Sequence, residues 1–440
     1  MKSIRDFGAS FGSTLLITAF TTIGGVLAAR LLGPAGRGAL TAAILWPSTL
    51  AALGNLGLIE AVTYFTAPRY GRSREILSSG LTIAAALSVI ITAAGFFLLP
   101  RLLASHGSDE IRTARWCLSL VPLNLFSLTL SAYILGTGRV AAYSVARSTV
   151  HVVTVLGMLA LYVARQASVQ AFAIAALAAN AVSLGYWVIL AKDDLFRLPL
   201  ARWHSARDLL TYGIKSHIGV LASLMNLRLD QLLMSVLLAP DLLGFYVVGV
   251  AIAGVVNLPA SAMLTSTFPR ITAAPDPKEQ TRILGQATRI ALSMCIAIGL
   301  VFMIVAPYLI RLLFGAAYLP AVLATRILVG AAIPLALVSQ LEAGFKALNY
   351  PELPSYGEAI GLITTGVSLA LLLPRFGIAG AAIASVLGYS CTAVFLACSL
   401  RTRTGLSGRA LLQPRATDWR VIVDLYRQVR MINDAPASPA

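Results

Sequence analysis

Leu31-Leu32-Gly33-Pro34-Ala35-Gly36-Arg37-Gly38 returns 206 residues later as Leu237-Leu238-Ala239-Pro240-Asp241-Leu242-Leu243-Gly244, with both leucines, the proline and the last glycine in the same places. Working outward, Ile76-Leu77 and the apolar run that ends at Pro100 recur as Ile283-Leu284 and a run that ends at Pro307, a shift of 207. Leu159-Ala160-Leu161 and Ala173-Ile174-Ala175 recur as Leu369-Ala370-Leu371 and Ala382-Ile383-Ala384, at shifts of 210 and 209. One displacement sustained across separated matches is the mark of a duplicated half. In a membrane chain, two homologous bundles point to a transporter.

Composition places the chain in a bilayer. It is 58% hydrophobic and 12% charged, with a mean hydropathy of +0.82, against about 45–50% apolar residues in an ordinary soluble domain. Twelve apolar segments are long enough to cross about 30 Å of hydrocarbon as helix, near 8–31, 38–66, 76–99, 114–137, 140–163, 169–191, 210–236, 241–267, 284–310, 320–346, 354–373 and 376–400. The segments are long and contiguous, whereas barrel strands alternate over about ten residues. The fold class expected is therefore all-α and integral to the membrane. The first apolar run is long and lacks a small-residue cleavage site, so it reads as a span rather than a cleaved signal.

The basic residues set the expected orientation. Of the 34 Lys and Arg residues, 21 fall on the side that holds both termini, from Lys2 and Arg5 through Arg72, Arg139, Arg202 and Lys278 to the seven arginines from Arg401 to Arg430. Nine fall on the other side, Arg30 and Arg37 among them. Cytoplasmic loops are enriched in Lys and Arg, which predicts cytoplasmic termini in a bacterial inner membrane. With an even number of spans per half, the repeat is parallel, about an axis along the membrane normal. The expected organisation is an amino-terminal six-helix lobe over 1–191, a cytoplasmic linker over 192–209, a second lobe over 210–400 and a basic tail over 401–440. Within that tail, Trp419, Ile422, Tyr426 and Val429 recur at three- and four-residue spacing, which predicts an amphipathic helix over about 417–431 lying on the membrane or on the protein's own loops.

Several function classes drop out. The formal charge of +16 resides in loops that flank spans, where the positive-inside bias accounts for it, so nucleic acid is not an expected partner. Cys117, Cys295, Cys391 and Cys398 fall in apolar segments without metal-ligand spacing, and the expected cofactor and metal lists are empty. There is no phosphate-binding glycine loop for ATP hydrolysis. No connection exceeds about twenty residues, too short for the extramembrane domain of a membrane glycosyltransferase, and no acidic pair sits in an extended loop. The chain is not expected to be an enzyme.

Charge inside the bilayer costs about 2.5–3.5 kcal/mol or more per residue on insertion scales, so it marks cavities or partners. The candidates are Glu60, Arg147, Lys215, Arg228, Asp230, Arg289, Glu342, Lys346 and Glu358. If Arg147, Lys215, Arg228 and Arg289 converge, they form a cationic cavity suited to a phosphate or diphosphate, Arg binding in bidentate fashion and Lys as a point charge. The other arrangements are internal neutralisation by Glu60, Glu342 and Glu358, and snorkelling to the interface by Glu60, Lys215, Arg289, Lys346 and Glu358, which lie within about two turns of the cytoplasmic span ends. Asp230 is two residues from Arg228, on a different helix face, and reads as a coupling-ion ligand for a proton or sodium gradient or as a conformational salt bridge. Pro47, Pro122, Pro259 and Pro334 are expected to bend their helices.

Four stretches together resemble a known family: Ala29 to Pro34 through Gly38, Leu56-Gly57-Leu58, Leu229-Asp230-Gln231-Leu232-Leu233 running into Gly244-Phe245-Tyr246, and Phe376-Gly377-Ile378-Ala379-Gly380-Ala381-Ala382. They resemble the polysaccharide and oligosaccharide flippase branch of the multidrug/oligosaccharidyl-lipid/polysaccharide (MOP) exporter superfamily, over residues 1 to about 400. The resemblance implies two six-helix lobes in a V shape, and translocation of undecaprenyl-pyrophosphate-linked glycan between leaflets by alternating access. A polysaccharide polymerase and glycosyltransferases are then the expected partners beside the lipid bilayer itself. Arg30 and Asp230 match positions that recur in that branch, which adds Arg30 to the expected cationic site. The first span holds no acidic residue, a departure from the drug-exporting branch. A drug or lipid exporter of the same superfamily and a non-transporting scaffold of polysaccharide assembly are the alternative readings.

Overall fold

The computed structural model describes the backbone of residues 2–103, 107–404, 411 and 413, and the side chains of these outside 2–11, 69, 218, 265 and 266. The amphipathic helix expected over about 417–431 lies outside the described residues. The rest is a succession of helices: α1 (Lys2–Gly54), α2 (Leu58–Phe65), α3 (Ser73–Leu102), α4 (Ser108–Cys117), α5 (Leu120–Gly136), α6 (Val140–Ala146), α7 (Thr149–Val163), α8 (Val169–Leu195), α9 (Trp203–Asn226), α10 (Leu229–Leu237), α11 (Pro240–Val256), α12 (Leu258–Ala273), α13 (Pro277–Leu313), α14 (Val322–Ala347) and α15 (Glu352–Thr404). No strand occurs among the described residues. Large apolar side chains stand exposed on many of these helices, Val89 at 71%, Phe97 at 73% and Ile304 at 72% among them. In water this would be a severe liability; in hydrocarbon it is the expected outer surface.

Eight helical runs are long and apolar enough to cross a membrane, and ten if the bent pairs α9–α10 and α11–α12 each count as one span. Two of the eight runs, 43 and 53 residues long, far exceed the roughly 20 residues a crossing needs. Each contains two helices that meet at a glycine with positive φ, Gly33 at φ 69° and Gly377 at φ 54°. A side chain there would meet its own backbone, and only glycine adopts this conformation without cost. Counted on either side of those glycines, the described residues hold up to twelve such segments. The chain turns at those single residues, and Pro34, directly after Gly33, opens the following helix at a position where its missing N–H goes unused.

Proline marks only some of the breaks. Pro122 stands in the first turn of α5 and Pro259 in the first turn of α12, each just after an interruption, whereas Pro47 and Pro334 lie within α1 and α14. Two further breaks have no proline: α6 ends at Ala146 and α7 resumes at Thr149, and α9 meets α10 at a 51° bend. Freed backbone groups at membrane depth need partners. At the 54–57 break Asn55 supplies them, its amide donating to Ala52 O at 2.7 Å and its Oδ1 accepting from Gly57 N at 3.0 Å.

Contacts divide the chain into two compact units, 1–251 with 307–322, and 252–306 with 323–440. This partition differs from the six-helix halves inferred from the duplication. In the first unit, the two copies of the duplicated motif lie against each other. A Cβ built on Gly38 would sit 2.6 Å from the carbonyl carbon of Pro240 and 3.0 Å from Gly244 N; one built on Gly244 would sit 2.9 Å from the carbonyl carbon of Pro34 and 3.2 Å from Gly38 N. The contact is reciprocal and backbone to backbone, so both glycines exist to let α1 and α11 approach. The second unit closes around Ile271, Leu284, Val338, Leu341, Phe345, Leu396 and Leu400, all buried.

Candidate functional site

Arg228 occupies the corner between α9 and α10, as the residue before the first turn of α10. Its Nη1 donates to Thr49 Oγ1 at 3.2 Å and to Ser48 Oγ at 3.4 Å, on the turn that follows Pro47. The guanidinium is half-buried, and among the described residues no carboxylate lies within ion-pair distance of it. Asp230 takes a different route, as the spacing required. It is 3% exposed, accepts Gln231 N on Oδ1 at 2.7 Å, and accepts the hydroxyl of Tyr246 on Oδ2. Its place in the first turn of α10 sets a negative charge against the positive end of the helix dipole. Trp46 of the same region donates its indole N–H to Ser235 Oγ at 3.0 Å, one helical turn beyond Asp230.

Arg147 sits at the α6–α7 break and donates from Nη2 to Thr14 Oγ1 at 3.1 Å. One turn along α7, His151 shares a hydrogen bond of 3.1 Å with Thr21 Oγ1. The first and fifth spans are thus joined by polar contacts inside a stretch of otherwise apolar helix. Lys215, on α9, is exposed, without a hydrogen bond or ion pair to any described residue. Arg30 is committed elsewhere: Nε donates to Leu313 O at 2.7 Å and Nη2 to Leu312 O. It caps the carboxyl end of α13, where a cation complements the dipole and satisfies orphan carbonyls. The structure brings Arg30 to that helix end and shows no contact between it and Arg147, Lys215 or Arg228.

Among the described residues no ion pair joins a carboxylate to Arg30, Arg147, Lys215 or Arg228. Glu60 on α2 has Oε2 buried without a hydrogen-bond partner. In the second unit, Glu342 lies 3.8 Å from Lys346 and against Glu358, which is buried. Arg289, 6% exposed, lines a cleft with Lys278, Arg282 and Arg403. Loop cations of the first unit are paired: Arg72 with Asp208, Arg74 and Arg139 with Asp194, and Arg202 with Glu75, at 3.0 to 3.7 Å.

Sequence reasoning missed Tyr246, Ser48, Thr49, Thr14 and His151, the partners of the charged candidates. His151 belongs to no motif, yet it lies about one helical turn from Arg147. A signal was present in the first span: Thr14, Thr18, Thr21 and Thr22 recur at helical spacing and form one polar stripe. Arg37, inside the duplicated motif, was also passed over; its Nε is buried with no hydrogen-bond partner among the described residues. Groups of acidic, histidine or cysteine side chains that would hold a metal ion do not occur among the described residues.

Tyr246→Phe removes one of the donors to a buried carboxylate, and a hydrogen bond to a charged group is worth about 1.5–3 kcal/mol. The variant should unfold at lower temperature than wild type in detergent. An unchanged unfolding midpoint would show that the Tyr246 hydroxyl does not support Asp230.

Comparison with known proteins agrees with this architecture. A lipid II flippase, MurJ, in an inward closed conformation superimposes with a TM-score of 0.76 at 14% identity, covering 99% of this chain and 94% of its own. An inward-facing multidrug resistance MATE family transporter of the MOP superfamily gives 0.74 at 16% identity, covering 88% and 94%. A MOP superfamily transporter from Pyrococcus furiosus, described as having a binding pocket of reverse polarity, gives 0.63 at 17%, covering 91% and 95%. At such identities the likeness is one of fold. No curated protein sequence matches the chain. The profile of the polysaccharide biosynthesis protein family matches residues 26–323, which takes in both copies of the duplicated motif and the corner that holds Arg228 and Asp230, and the chain belongs to that family.

Proposed function

We propose that this protein carries a lipid-linked oligosaccharide or polysaccharide repeat unit across the bacterial cytoplasmic membrane by alternating access, with both termini in the cytoplasm and six spans in each half. The observation that carries the reading is a pair of half-buried arginines at helix breaks, Arg147 and Arg228, held by hydroxyls and not by carboxylates. Hydroxyl partners orient a guanidinium without neutralising it, which leaves its charge for a phosphate group. The family match and the fold shared with a lipid II flippase support the same substrate class. In this reading Arg147 and Arg228, with Lys215 as an exposed third cation, hold the diphosphate of the carrier while its polyprenyl tail stays in lipid. Asp230, Glu60, Glu342 and Glu358 are the groups available for a proton or sodium gradient.

Depletion of the protein should cause lipid-linked glycan to build up in the inner leaflet, read as protection from an externally added glycan-modifying enzyme. If depleted cells instead retain normal leaflet distribution and accumulate a cationic dye, drug export replaces this reading. That outcome is disfavoured by residues 12–32, which contain no Asp or Glu.

A further inference from the structure

Arg37 stands four residues past the break at Gly33, and its side chain turns back across that break. A Cβ built on Gly25 of the first span would lie 3.9 Å from Arg37 Nη2, so the guanidinium rests where that span presents a glycine and no side chain. Its Nε is buried without a hydrogen-bond partner, and no ion pair among the described residues includes Arg37. The Tyr318 hydroxyl beside it is committed to Ala29 O at 3.0 Å. Arg30, on the other side of Gly33, donates to the carbonyls of Leu312 and Leu313; Arg37 makes no such contact with a described residue.

Gly25 closes a polar stripe. Thr14, Thr18, Thr21 and Gly25 follow one another at intervals of four, three and four residues, so they share one face of the first span. At 1.5 Å per residue that face is about 16 Å long. Three nitrogen-bearing side chains stand along it, all in the first compact unit: Arg147 at Thr14 and His151 at Thr21, each at 3.1 Å, and Arg37 at Gly25. Thr14 and Thr21 are exposed, which leaves the stripe accessible. Neither 12–59 nor 140–192, the stretches that supply the stripe and its three nitrogen-bearing side chains, contains Asp or Glu. A guanidinium in hydrocarbon is costly until an anion or a polar partner answers it, and this chain sets one at each end of a hydroxyl-lined face whose own segments hold no carboxylate.

We infer that Arg37 is a second phosphate-binding residue, which takes over at the far end of the stripe the diphosphate that Arg147 holds at the near end. The inference rests on the proposed transport of a diphosphate-linked lipid and gives that transport a track along the first span. Arg37 belongs to the end that the basic loops assign to the outer face, so its task is delivery, whereas Arg147 and Arg228 serve capture. Bidentate bonding suits a guanidinium to this exchange, and the bare glycine beside Nη2 leaves room for the phosphate oxygens.

Full-length protein in phosphatidylcholine nanodiscs containing undecaprenyl diphosphate, read by native mass spectrometry, measures capture; surface glycan in cells measures delivery. Arg37→Gln should retain the carrier as wild type does, yet lower surface glycan by about tenfold or more, the effect of losing hydrogen bonds to a charged group. Arg37→Lys should recover part of that loss, and Arg147→Gln/Arg228→Gln should lose carrier and glycan alike. Should Arg37→Gln fail to fold, Gly25→Leu fills the notch without changing any charge and should show the same split. A merely structural guanidinium predicts instead a lower unfolding temperature, with carrier and glycan falling together. Folded Arg37→Gln protein that supports wild-type surface glycan, or that loses the carrier along with the glycan, overturns the inference and leaves the transport reading in place. If wild type itself retains no carrier, both fall.

Discussion

Reversing both arginines at the helix breaks, Arg147→Glu with Arg228→Glu, is expected to abolish surface glycan while the protein remains in the membrane at normal abundance. Hydrogen bonds to charged groups contribute about 1.5–3 kcal/mol each, so two lost contacts to a diphosphate weaken its capture by more than about a hundredfold, and repulsion between carboxylate and phosphate deepens the loss. Single changes grade the effect. Arg228→Lys keeps the charge but gives up bidentate geometry, and should fall about tenfold; Arg228→Gln should fall further with little change in unfolding temperature, since Ser48 and Thr49 still find an amide donor. A structural role for Arg228 predicts the opposite order, with Arg228→Gln lowering stability before transport. Wild-type surface polymer in the double reversal would remove the translocation reading and leave the scaffold in its place.

The second large effect is expected at the duplicated motif. Gly38→Val places a branched side chain where the carbonyl of Pro240 already stands, and Gly244→Val does the same against Pro34. Overpacking costs about 1–3 kcal/mol where side chains can yield; here the obstacle is backbone, so each variant should exceed about 3 kcal/mol, and the described packing of α1 on α10 and α11 should fall in population by at least about a hundredfold. Ser235 lies one turn before this contact and is fully buried. In a background without the native cysteines, a Ser235→Cys thiol should be shielded from a membrane-permeant maleimide and become reactive when Gly38→Val is added. Equal protection with and without Gly38→Val would mean that the two copies of the motif do not touch in the membrane.

Much of this was legible from sequence because it depends on local properties. A span is a run of some twenty apolar residues whatever its neighbours are, so hydropathy alone placed all twelve. The duplication was visible because its two copies kept the Pro and Gly that their shared backbone geometry requires. Arg147, Arg228 and Asp230 stood out through the cost of charge in hydrocarbon, which is again a property of one residue in one segment. Their partners were not visible. Thr49 is 179 residues from Arg228 and Thr14 is 133 from Arg147, and nothing in a serine or threonine on an apolar helix announces which distant guanidinium it will meet. The partner of Arg30 was hidden for the same reason: its charge was readable, but its contact with the end of α13 depends on a helix end 283 residues away.

The sequence by itself determined that the chain is an all-helical membrane protein of twelve spans with a repeated half, and which residues bear charge within it. Only tertiary structure decided that Gly38 and Gly244 meet across the repeat, that Arg228 and Asp230 turn to different partners, and that Lys278, Arg282, Arg289 and Arg403 open onto one cleft. Solvation energy is a property of the segment, whereas a hydrogen bond or a backbone contact needs two segments brought to within a few ångströms, and that distance is written in the packing of the whole chain.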